Sequence, residues 1–155
     1  MAPIHVLLVE DDPSDFRLIQ RAFGKLSDDG FEMFRLTNGD EAIAYLSGAS
    51  PYGNRSAHPM PGIVVLDLKL PRRSGFEVLQ WLRRQSSGLN RMPVIVLTSS
   101  RHGTDINRAY DLGANSYLVK PDTALQLEEL ASQFHAYWVR LNEFPSFRAG
   151  PGVGA

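Results

Sequence analysis

The chain has 155 residues, 43% of them hydrophobic, no cysteine, and 16 basic against 17 acidic side chains for a formal charge of -1. That length suits a single well-formed core, and the missing cysteine excludes disulfides, thiolate zinc sites, iron–sulfur clusters and cysteine nucleophiles. The near-neutral charge lacks the cationic excess that sequence-independent phosphate-backbone binding needs, so nucleic acid is not expected as a direct partner.

The N-terminal stretch MAPIHVLLVEDD has no basic region, and its apolar run turns acidic too soon for a signal peptide. No apolar run reaches the length of a membrane span, so a cytoplasmic protein is expected. Residues 4–9 read as a first strand, followed by a helix with Asp12 as N-cap, Pro13 at its first position, and Phe16, Ile19, Phe23 and Leu26 on one face. Strand two is expected over 31–36 and a helix over 41–46. SGASPYGNRSAHPMPG, residues 47–62, then forms an unusually long loop, either a bland insertion or a carrier of partner contacts. Strands follow at 63–66, 94–98 and 116–119, with helices over 75–85, 104–112 and 124–141 and a stop at Gly113. Several strands are continuous apolar runs, as expected for parallel strands covered on both faces. The segment 142–155 is punctuated by Pro and Gly and is expected to fray at its end, although Phe144 and Phe147 are free to dock.

In an open parallel sheet, ligands bind outside the carboxyl ends of the strands. Those ends carry Glu10, Asp11 and Asp12, then Asp67, then Thr98 with Ser99 and Ser100, then Lys120 before Pro121. Singly, each has an ordinary explanation: an acidic pair caps a helix, an Asp starts a turn, a Thr favours strands, a Lys is solvated. Their conjunction at one edge is what points to function. Two carboxylates about 4 Å apart repel by roughly 4 kcal/mol at an effective dielectric near 20, so the cluster calls for a cation or a proton. Oxygen ligands beside a phosphate suit Mg²⁺. With metal and Lys120 neutralising it, Asp67 becomes a nucleophile toward a phosphoryl group, whose oxygens the Thr98 hydroxyl and the Ser99 N–H would hold.

VLLVEDD, LDLKLPRRSG, PVIVLTSS and GANSYLVKP, in that order, resemble the receiver domain of two-component response regulators over residues 4 to 141. The resemblance implies a flavodoxin-like (βα)5 fold with strand order 2-1-3-4-5 and an extended last helix. It also implies a receiver over 1–144 and a flexible tail over 145–155. Asp67 matches the phosphoacceptor, Glu10 and Asp11 the acidic pair, Thr98 and Tyr117 the switch, and Lys120 the phosphate-contacting lysine. Metal would be held by Glu10, Asp11, Asp67 and the Lys69 backbone carbonyl, and the bond before Pro121 would be cis. Lys69 and Ser100 occupy positions that tune dephosphorylation in the family.

Within that family, the long loop, GANSYLVKP and the aromatic last helix most resemble stand-alone regulators paired with bacterial phytochrome histidine kinases. A sensor kinase is therefore the expected partner, with a phosphotransfer protein as another. In the last helix Leu127, Ala131, Phe134, Trp138 and Leu141 form a heptad-like stripe flanked by Leu130 and Tyr137. Two apolar faces together suggest a homodimer through helix four, strand five and helix five, with Leu130, Phe134, Tyr137 and Trp138 as its face. Arg72 and Arg73 form either a solvated face or a partner contact. Among rivals, a Rossmann enzyme would need GxGxxG where this chain has EDDPSD, and a haloacid-dehalogenase-type phosphatase would carry its D-x-D on the first strand. The remaining alternative is a phosphorylation-independent pseudo-receiver that acts only as an interaction module.

Overall fold

The computed structural model describes residues 3–26 and 30–147. Five parallel strands, β1 (Ile4–Val9), β2 (Phe31–Leu36), β3 (Ile63–Leu66), β4 (Val94–Thr98) and β5 (Ser116–Val119), lie in the order β2-β1-β3-β4-β5. This is the flavodoxin-like arrangement expected from the sequence. Every residue of β3 and β4 is buried, which is why these runs are apolar throughout rather than alternating.

Successive side chains leave the sheet on opposite faces, and each face meets its own helices. Val6, Leu8, Ile63, Val65, Ile95 and Leu97 pack with α1 (Pro13–Gly24) and α5 (Ala124–Phe134) through Ile19, Phe23, Leu127, Ala131 and Phe134. Leu7, Val9, Val64, Leu66, Val94 and Val96 pack with α2 (Gly39–Ser47), α3 (Gly75–Arg83) and α4 (Gly103–Asp111). Asp12, Asn38, Ser74 and Thr123 each cap the helix that follows by accepting backbone N–H bonds. The exception is α4, whose N-cap His102 makes no such bond. Its far end stops at Gly113, at a φ of 104° that a side chain would strain.

One expected element divides. The helix anticipated over 124–141 is α-helical to Phe134 and winds as a π-helix over His135–Leu141. The assignment of Phe134 to an outward dimer face is also corrected. Its ring meets Phe23 edge-on at 5.3 Å between centroids and is buried, because Leu127, Ala131 and Phe134 form the stripe that covers the sheet. Leu130 and Trp138 are partly buried at the margin of that core, and Tyr137 is 53% exposed.

At the amino ends of the strands the connections pack on themselves. Tyr45, Tyr52 and His58 form a ring cluster with centroids 5.1 to 5.9 Å apart, and the Tyr45 hydroxyl donates to the Pro59 carbonyl at 2.8 Å. Arg55 donates to the carbonyls of Leu46 and His58. Phe144 and Phe147 pack against the two cores, and Arg91 donates to the Ser146 carbonyl, so the chain stays packed beyond residue 144. The part of the expected tail from 148 onward lies outside the described residues. At the end of α3, one guanidinium ties two stretches of chain to the helix: Arg83 donates to the carbonyls of Asn90 and Met92, to that of Gly113 and to the Asn115 side chain, all within 3.0 Å.

Candidate functional site

The site forms at the carboxyl edge of the central strands, between β1 and β3, where the chain first winds to one side of the sheet and then to the other. Glu10 and Asp67 continue β1 and β3 beyond their last ladder residues: the Glu10 N–H donates to the Leu36 carbonyl, and the Asp67 N–H to that of Val9. The pairing of these strands therefore sets the two carboxylates side by side. Glu10 is 1% and Asp67 7% exposed, and Asp11 is more open than either. Each of the three offers one carboxylate oxygen within 4.8 Å of the others, a spacing and donor set that a hard divalent cation can use.

Lys120, just past β5, crosses to this cluster. Its Nζ lies 2.6 Å from Glu10 Oε1, 2.8 Å from Asp67 Oδ2 and 2.8 Å from Asp15 Oδ2, and its backbone N–H donates to the Thr98 carbonyl at 2.8 Å. Burial works to lower the lysine pKa, but the hydrogen bonds to Asp15, Asp67 and Glu10 outweigh it and hold the ammonium well above its ordinary range. For Glu10 burial dominates. It pushes the carboxyl up to about 7 against the pull of Lys120, with the Asp67 charge adding to the rise.

The remaining expected residues surround this centre. Thr98 ends β4 beside β3, wholly buried, and its hydroxyl has no hydrogen-bond partner among the described residues. Such an orphan is costly in a finished core and marks a group built to meet something else. Ser99 is exposed at the same edge. Lys69 stands two residues past Asp67, its N–H donating to Asp67 Oδ1. The Tyr117 ring is half-buried and its hydroxyl donates to the Ser100 carbonyl at 3.0 Å, while the buried Ser100 hydroxyl donates to Asp105 on α4 at 2.6 Å. Arg72 and Arg73 are exposed and face Asp40 on α2.

One expectation is corrected: the Lys120–Pro121 bond is not cis, and among the described residues the cis peptide lies at Ser50–Pro51. The long lysine stem reaches all three carboxylates from a trans junction. Two residues of the site were not anticipated. Asp15, in the first turn of α1, looks in sequence like an ordinary acid complementing the helix dipole, yet it binds Lys120. Arg35, late in β2, donates to the carbonyls of Glu10 and Asp11, and nothing in a strand pattern announces such a reach.

Residues 6–132 match the family described as the response regulator receiver domain. This chain belongs to that family. The receiver is 39% identical to the probable methanogenesis regulatory protein FilR2 of Methanothrix harundinacea over 92% of this chain and 88% of that one. To the response regulator Rcp1 of Synechocystis it is 35% identical, over 93% and 95% respectively. The crystal structure of the Mn²⁺-bound form of Rcp1 superposes with a TM-score of 0.82 at 33% identity, covering 93% of this chain and all of that one. The phosphorylated cyanobacterial phytochrome response regulator RcpA superposes at 0.85 with 35% identity, over 94% of this chain and all of RcpA. The receiver is thus a response regulator related to the phytochrome-associated ones, in a family that is phosphorylated by kinases and binds divalent metal. No helix among the described residues is long and apolar enough to cross a membrane.

Proposed function

We propose that Asp67 is the phosphoacceptor of this receiver and that it takes its phosphoryl group from a phosphohistidine of a sensor kinase. The observation that carries this reading is the Thr98 hydroxyl, buried on the strand next to Asp67 without a hydrogen-bond partner among the described residues. A phosphoryl group on Asp67 supplies the oxygen it lacks. An Asp67 carboxylate oxygen attacks phosphorus in line with the leaving nitrogen; the new P–O bond forms as the P–N bond breaks, and the electron pair returns to the histidine ring. The Lys120 ammonium, already 2.8 Å from Asp67, passes to a phosphoryl oxygen, and the Ser99 N–H holds another. Glu10, Asp11, Asp67 and the Lys69 carbonyl would hold a divalent cation, which we take to be Mg²⁺, and it would supply neutralisation of the negative charge gathered around Asp67. Water later hydrolyses the aspartyl phosphate, so the domain carries self-phosphorylating and self-dephosphorylating chemistry without being an enzyme in the usual sense.

Movement of Thr98 toward the phosphoryl group empties space that the Tyr117 ring fills, and the Tyr117–Ser100 bond breaks. A coupling of about 1–3 kcal/mol is enough to regulate a surface in this way. We infer that the donor is a bacteriophytochrome-type histidine kinase, in keeping with RcpA and Rcp1, and that the pair works in the cytoplasm, where ATP feeds the kinase. A phosphotransfer protein is the second partner proposed.

A homodimer through α4, β5 and α5 is supported by the half-exposure of all four β5 residues at the sheet edge. A groove beside that edge is lined by Leu118, Leu130, Tyr137 and Trp138. Sedimentation velocity with Tyr137→Glu tests it: the expected result is a dimer for the native chain and a monomer for the variant.

Intact mass after incubation with acetyl phosphate, or with a phosphorylated kinase, tests the chemistry. One phosphoryl adduct that requires Mg²⁺ and is absent in Asp67→Asn is expected. No adduct from either donor would instead identify a phosphorylation-independent interaction module.

A further inference from the structure

We infer that Arg35 is a positioning residue for the metal ligand Asp11, an assignment that rests on the phosphoacceptor reading above. Arg35 pairs with Leu8 in the β1–β2 register, so its side chain rises on the α1 face of the sheet. There its guanidinium lies 4.3 Å from the centroid of the Phe16 ring. Nε donates to the Glu10 carbonyl at 3.0 Å and Nη2 to the Asp11 carbonyl at 3.3 Å.

These two carbonyls belong to the peptide planes on either side of the Asp11 Cα. Because each peptide is planar, pinning both planes leaves Asp11 little freedom in φ or ψ, and the direction of its Cβ is settled with them. Glu10 has further anchors in Lys120 and the Asp12 N–H. Asp11 sits in the open turn between β1 and α1 and draws its orientation from its backbone. Arg35 itself has no lone pair to offer a cation, and its positive charge acts against one nearby. Its help to metal binding is therefore geometric: a rigid planar fork reaches two acceptors while stacked on Phe16. A lysine would bring the charge without the fork.

Metal titration of the full chain separates these effects. Mg²⁺ affinity by calorimetry, and Mn²⁺ affinity from the resonance of the free ion, are measured for the native chain, Arg35→Lys and Arg35→Gln. Both variants are expected to bind about tenfold more weakly, the scale seen when groups that orient metal ligands are removed. At saturating Mg²⁺ their acetyl phosphate reaction is expected to return to the native rate, because the fork sets occupancy of the metal site and does not touch the phosphoryl group. Native affinity in Arg35→Lys, or tighter binding in Arg35→Gln, overturns the assignment and leaves Arg35 as a charge alone. Thermal unfolding checks that the variants are folded. Should Arg35→Gln fail there, Phe16→Leu, which removes the stacking ring and keeps both donors, is expected to weaken the metal in the same direction, and native affinity in it overturns the inference. A native chain that binds neither ion would overturn the metal reading of the whole site, an outcome distinct from failure at Arg35.

Discussion

The two edges of the same sheet are built on opposite terms. At the carboxyl edge four acids, Glu10, Asp11, Asp15 and Asp67, share the neighbourhood of one half-buried ammonium, and the Thr98 hydroxyl lies buried without a partner among the described residues. At the amino edge Tyr45, Arg55 and Arg83 find carbonyl acceptors, and the rings of Tyr45, Tyr52 and His58 pack tilted or edge-on against one another. The first edge keeps unspent charge and hydrogen-bonding capacity for a ligand; the second spends both on holding the chain together. Substitutions at the second edge should therefore alter stability alone, whereas those at the first should alter chemistry, and stability as well where they unbalance its crowded charges.

The largest effect is expected for Asp67→Asn. The phosphoryl adduct disappears from the mass spectrum, while the urea midpoint is no lower than native, because one of several crowded carboxylates has lost its charge. Lys120→Met goes the other way. It leaves Glu10 and Asp67 without their buried counter-ion, and a loss of roughly 3 kcal/mol is expected in urea unfolding, the scale for breaking a buried pair. A stability loss below 1 kcal/mol there would break the comparison, since it would mean that Lys120 serves chemistry alone.

Glu10 predicts a pH dependence. Its folded pKa of about 7 stands above the ordinary 4.5, so its contribution to stability is fully present below that ordinary value and is lost as pH rises through the folded one. In chelator, the thermal midpoint of the native chain should fall over that interval, and Glu10→Gln should flatten the fall. The smallest effect belongs to the amino edge. Tyr45→Phe removes the bond to Pro59 and should cost about 1 kcal/mol in urea, with phosphorylation by acetyl phosphate unchanged.

The five strands were legible because buried parallel strands leave uninterrupted apolar runs, and Asp67, Thr98 and Lys120 were legible because each interrupts such a run at its end. Helix ends were softer. Ala124 to Leu141 reads as one amphipathic helix, yet at His135 the backbone widens to seven residues of π-helix, a change with no compositional mark. Phe134 was placed on the dimer face in sequence, because two apolar faces on one helix do not say which covers the sheet; its contact with Phe23 shows that it does. Asp15 and Arg35 were missed for a common reason: both act across elements, one from helix to strand end and one from strand to turn. Periodicity within an element carries no information about such contacts. The segment over residues 47–62 was legible as a long loop but not as a packed one, since its packing comes from Tyr45 and Arg55 meeting residues several positions away.

The fastening of α4 has a mechanical consequence. Its trailing end is tied through Gly113 and Asn115 to Arg83, whereas its leading end lacks a cap side chain and is held near the site by Ser100 and Asp105. Along its length a single residue, Ala109, is fully buried. A rod pinned at one end and lightly latched at the other turns about the pin, so a displacement of a fraction of an ångström where Ser100 meets Tyr117 becomes a swing of the free end. Under the proposed phosphorylation of Asp67, Arg83 would be the axle of that lever, and a partner that reads the swing would sense a phosphoryl group it never touches.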